Sequence, residues 1–125
     1  SRDFVDGFDF VLVPHTLYNK IGPGAGDLVS NFASFGEMRR YWFDYYLKAE
    51  PFLTAKYFFT ANHLQSFPTY DTDVTLLDYP IWDPEKKLHF GNSPGFTGYS
   101  TYHRRAFFFY KSRAYSPFFE YIGGS

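Results

Sequence analysis

The stretch from Asp27 to Phe67 constrains the fold more than any other part of the chain. Apolar side chains recur there every three or four residues, and most of them are rings. Leu28, Phe32, Phe35, Met38, Trp42, Tyr45 and Ala49 would share one face of a helix. Asp27 can accept from the free amides of a first turn, as an N-cap does. Ser34 followed by Glu37 has capping-box spacing and offers a second start, with Gly36 weakening the helix before it. Pro51 lacks an amide hydrogen and disfavours helical angles at Glu50, so it ends this helix or opens the next. Beyond it, Phe52, Ala55, Phe59 and His63 fall on one helical face, and Leu53, Tyr57, Ala61 and Leu64 on its neighbour. The spacing predicts a helical hairpin over about 28–66, closed by Pro68.

The rings matter because aliphatic side chains are scarce. Phe 17, Tyr 12 and Trp 2 stand against seventeen Leu, Ile and Val in 125 residues. Rings bury large areas, and Tyr and Trp also need a polar partner, which suits them to protein–protein interfaces. Two readings follow: an aromatic core, or a chain that completes its burial against other proteins. The length fits one domain. With no cysteine, disulfides, thiol catalysis and Cys-based metal sites are excluded. A net charge of −1 gives no global field toward nucleic acid or anionic membrane. No run approaches the ~18 apolar residues of a spanning helix.

Around the central stretch the chain reads as three further segments. Residues 1–26 are extended. Phe8, Phe10 and Leu12 alternate as a short strand would, and Asp3, Asp6 and Asp9 form a solvated acidic start without the closing Glu of a calcium loop. Gly22, Gly24 and Gly26 precede the expected helix. They match neither a P-loop nor the dinucleotide fingerprint, and Asp27 would repel phosphate there, so a simple turn is expected. Residues 68–101 carry Pro68, Pro80, Pro84 and Pro94 and no helical period, and read as an arm lying across another surface or as a long loop packed on the chain's own helices. Residues 102–125 set Phe107, Phe108, Phe109 and Tyr110 between Arg104, Arg105 and Lys111, Arg113, a run that fits helix and strand about equally.

Catalytic signals are sparse. His15, His63, His89 and His103 show no metal-binding spacing, so neither a metal nor a cofactor is expected. A proton-transfer pocket would need Asp44 or His63 enclosed among tyrosines. The periodicity instead places Asp44 on the exposed face of its helix.

The fold class these observations favour is mainly α with irregular extended segments, with a small α+β domain as the alternative. The function they favour is a structural or accessory subunit of a large assembly. By analogy, its host would be a mitochondrial respiratory-chain or ATP-synthase complex. Its partners would be other subunits, met through Trp42, Tyr46, Tyr79, Trp82, Arg104, Arg105 and Phe107, Phe108, Phe109 and Tyr110. Arginines beside rings also allow peripheral membrane contact. Four full positive charges are few for nucleic acid, which makes a ribosome- or nucleic-acid-associated module the third reading. A small-molecule-binding domain or proton-transfer enzyme with an aromatic pocket is the second.

Overall fold

The computed structural model describes residues 11–66, 73–93 and 117–125, together with the backbone of 101–105 and 108–112. It corrects the expectation of a mainly α chain: the centre of the fold is a four-stranded mixed sheet, and the class is α+β. The strands are β1 (Leu28–Phe32), β2 (Tyr57–His63), β3 (Lys87–Asn92), β4 (Thr101–Arg105), β5 (Phe108–Ser112) and β6 (Phe118–Gly124). The sheet runs β1-β2-β6-β3. β1 and β2 are parallel, and β6 is antiparallel to both β2 and β3. β4 and β5 form a separate antiparallel pair, which answers the helix-or-strand ambiguity there with strands.

The expected helical hairpin is therefore a β-α-β unit. Its helices are α1 (Arg40–Leu47) and α2 (Glu50–Leu53), and they carry the chain from β1 across to β2, as parallel pairing requires. Pro51 opens α2, within its first two positions. Asp27 caps no helix. It precedes β1, where its carboxylate lies 2.9 Å from Lys56 Nζ and its carbonyl accepts from Tyr57 N. Ser34 starts only a 3-10 turn, Phe35–Glu37, without a side-chain cap. The capping box is found elsewhere, where Thr75 and Asp78 close the 3-10 turn Leu76–Asp78.

Helices and turns cover one face of the sheet. Phe43 from α1, Phe52 from α2 and Phe35 from the turn between β1 and α1 pack on Phe58, Phe119 and Tyr121 of the strands. Ring centroids lie 4.9 Å apart for Phe52–Phe58, 5.5 Å for Phe35–Phe43 and 5.0 Å for Tyr79–Phe119, within the favoured range for aromatic pairs. Much of the ring surplus is thus spent inside the domain. Val74, Tyr79 and Ile81 complete this core, so the described part of the proline-rich segment packs on its own domain instead of reaching away as an arm. Arg40 ties the layer together. Its guanidinium bridges Asp44 at 3.1 Å and Asp78 at 2.7 Å, which links α1 to the Leu76–Asp78 turn.

A polar knot closes the β-α-β unit. Asn62 is fully buried on β2, and its Oδ1 accepts from Ser34 N at 2.9 Å and Gly36 N at 3.3 Å. Its Nδ2 donates to Asn31 Oδ1 at 2.9 Å and to Thr60 Oγ1 at 2.6 Å. Asn31 Oδ1 also accepts from Phe35 N. Amides that a tight turn leaves unmatched are thereby satisfied from the neighbouring strands. Ala33, at the corner itself, takes a positive φ of 43°.

Candidate functional site

Strand alternation sends every second residue to the face of the sheet opposite the helices. On β1 these are Leu28, Ser30 and Phe32, all exposed. On β2 they begin with Tyr57 and Phe59, followed by the buried Ala61 and His63. Leu28 is 53% exposed, Phe32 54% and Tyr57 46%, so the β1 end of this face is an open apolar surface. Leu28 stands opposite Tyr57 in the ladder, and the rings of Phe32 and Phe59 are 5.0 Å apart, which makes the patch continuous.

At the start of β1 the patch runs into a groove of about 580 Å3. Val11, Leu12 and Pro14, the 3-10 helix His15–Lys20 through Leu17 and Tyr18, and Ile21 form one wall; Leu28, Val29 and Pro51 form the other. Lys20 is the one charged residue in the lining. Leu12 is almost wholly exposed and Leu17 half so. The glycine-rich turn helps build this groove and leads into a strand, not a helix, so the geometry of a phosphate cradle is not formed. Gly24 holds a φ of 68° that side-chain-bearing residues avoid, and its N–H donates to Thr54 Oγ1 at 2.8 Å.

A second, shallower depression of about 400 Å3 lies along α1, lined by Asn19, Tyr41, Asp44, Tyr45, Lys48 and Ala49. Asp44, expected on the exposed face of its helix, is partly exposed and sits between Arg40 and Lys48. His63 does not reach this depression. It is buried at the end of β2 with its ring 4.0 Å from Phe118. Burial, with Tyr46 and Tyr45 alongside, pushes Tyr18 up to about 12, and burial raises Tyr46 as well. Tyr45 Oη accepts from Asn19 N and donates to the His15 carbonyl, both at 3.3 Å. Asp44 and His63 thus stand apart.

The interface residues expected from the sequence are scattered. Trp42 is half-buried on α1, with its ring 4.9 Å from that of His15. Tyr46 is half-buried against Phe35 and the core. Tyr79 is a core residue, 1% exposed, and burial drives its phenol far above the usual range. Trp82 is half-exposed, near Phe90 at the β3 end of the sheet. Arg104 and Arg105 lie on β4, and Phe108, Phe109 and Tyr110 on β5; Arg104 is in register with Phe109 and Arg105 with Phe108. Phe107 falls outside the described residues, as does the acidic start with Asp3, Asp6 and Asp9.

The sequence placed Leu28, Phe32 and Tyr57 on helical faces and assigned no interface role to the residues around β1. Their signal was there in two short apolar runs, Val11-Leu12-Val13-Pro14 and Leu28-Val29-Ser30-Asn31-Phe32, neither holding a charge. Among the described residues no group of three or more His, Cys, Asp or Glu could hold a metal ion. No helix among them is long and apolar enough to cross a membrane. No protein-family model matches the chain, and searches of curated proteins and of solved structures find no match.

Proposed function

We propose that this chain is a structural or accessory subunit of a larger assembly, docked through the apolar surface around β1. One observation carries the reading: Leu28, Phe32 and Tyr57 form an open apolar face that continues into the groove walled by Leu12, Leu17 and Ile21. Contiguous exposed apolar patches mark protein or membrane contact sites and ligand grooves, and this open face is read as a protein contact. The abundance of rings supports the reading less than the sequence implied, because so many of them fill the core. The co-purifying chains would name the host.

The test is the native size of the tagged chain extracted gently from its source. Co-elution with a large particle that survives moderate salt is expected, with a Phe32→Lys/Tyr57→Lys double variant released to monomer mass. A wild-type chain eluting at monomer mass would overturn the proposal.

A further inference from the structure

We infer that two copies of this chain pair antiparallel through β1, joining their four-stranded sheets into one. The inference rests on the reading of the β1 surface as a docking surface and names its occupant. It starts from a difference between the two edges of the sheet. An open edge strand invites pairing, and proteins blunt such edges with charges, prolines or bulges. The β3 edge is blunted: Lys86 and Lys87 stand at its start, and the ladder is irregular between Lys87 and His89. The β1 edge carries none of these devices. Leu28–Phe32 has no charge and no proline, and it pairs with β2 in unbroken register over all five residues.

The backbone of β1 is also aimed outward in the right pattern. The Asp27 carbonyl accepts from Tyr57 N at 2.9 Å, and Ala33 N donates to the Ala61 carbonyl at 2.8 Å. Peptide groups alternate sides along a strand, so the odd-numbered residues bond to β2. Leu28, Ser30 and Phe32 then direct their N–H and C=O groups away from the sheet. None of the three makes a backbone hydrogen bond to a described residue beyond β2. A row of backbone groups that no described residue pairs is a template for another strand.

The sequence of the edge fits a second copy of itself. A two-fold axis at Ser30 sets serine against serine, and Leu28 of one chain against Phe32 of the other, with no like charges opposed. Phe32 is half-exposed at one end of the strand, while Leu28 forms part of the groove at the other end. Each copy therefore brings a ring to the rim of the other's groove, twice over by symmetry.

Sedimentation of the purified chain over a range of concentrations, together with cysteine crosslinking, tests this. The chain has no cysteine, so any disulfide dimer must form at an introduced one. Directly opposed residues in such a pair lie about 5.5 Å apart at Cα, within disulfide range. Ser30→Cys is expected to crosslink under mild oxidation at concentrations where Glu85→Cys, an exposed control near the other edge, does not. Phe32→Lys should weaken self-association by at least about tenfold without changing the far-UV spectrum. Ser30→Pro, which removes one outward N–H, should do the same. A wild-type chain monomeric at every concentration, or equal crosslinking of the two cysteine variants, would overturn the pairing. If that monomer still enters a large particle, the pairing alone has failed. If the chain pairs but enters no particle, the subunit reading has failed and the pairing stands.

Discussion

Asn62 offers the sharpest test of how the β-α-β unit is held. Replacing it with alanine removes the acceptor for Ser34 N and Gly36 N and the donor to Asn31 and Thr60. Two backbone donors are stranded, one of them in a buried bond, at roughly 1–3 kcal/mol each. Asn31 keeps its bond from Phe35 N and limits the damage. The expected loss is about 3 kcal/mol by urea denaturation, a large share of the ~5–15 kcal/mol typical of a small domain. Thr60→Val, which removes one bond from the same knot, should cost only about 1 kcal/mol. Asn62→Asp adds a pH signature. The new carboxyl keeps the acceptor for the turn but sets an oxygen against Asn31 Oδ1. Burial and that opposed oxygen raise its folded-state pKa above the unfolded value, because the protonated form can donate where Nδ2 did. The folded state then binds the extra proton, so this variant should gain stability relative to wild type as pH falls through the raised pKa. The gain should reach at most about 1.4 kcal/mol per pH unit and stop below the unfolded pKa. A loss under 1 kcal/mol for Asn62→Ala, or a pH-independent penalty for Asn62→Asp, would refute the role given to the knot.

Three further outcomes follow from single residues. The Tyr79 hydroxyl is buried without a hydrogen-bond partner among the described residues, so Tyr79→Phe should be neutral or stabilise by up to about 1 kcal/mol; a loss of that size would show that the hydroxyl is satisfied. Ala33→Gly should raise the melting temperature, since a left-handed φ costs a side-chain-bearing residue about 1–2 kcal/mol; an unchanged or lower value would contradict the strain. Burial tends to raise the Asp78 pKa, but its bonds from Thr75 and Arg40 outweigh that and hold it below the usual carboxylate value. Its stabilisation is complete above the unfolded pKa and is lost as pH falls through the depressed one. Asp78→Asn should therefore cost about 1 kcal/mol at neutral pH, and its deficit relative to wild type should shrink in acid.

The parts of the fold that were legible in the sequence are those set by local chemistry. Pro51 marked the start of α2, whereas α1 buries Phe43 and leaves Trp42, Tyr45 and Asp44 alike at intermediate exposure. The strands were hidden by coincidences of spacing. Leu28, Phe32 and Phe35 step by four and three, yet the first two lie on the outer face of a strand and the third in a turn that reaches the core. Tyr57–His63 alternates in space, but Thr60 and Asn62 occupy its buried face, so no apolar alternation appears in the sequence. Asn62 is buried because the turn after β1 needs its oxygen, and Thr60 beside it accepts from the Asn62 amide. Pairing partners set that need, and no window of the sequence shows it. Tyr79 and Ile81 were likewise hidden, because an irregular segment can bury side chains without any period. The β1 surface was not legible because Leu28 and Phe32 also fit helical spacing.

Hydrogen exchange at β1 tests the central claim, that this edge is a docking surface, most directly. In the monomeric Phe32→Lys chain the amides of residues 29 and 31 should be protected by β2, while those of 28, 30 and 32 exchange rapidly. In the assembled wild type all five should be protected. Fast exchange at 28, 30 and 32 in the assembly, with new protection arising only elsewhere, would contradict the claim.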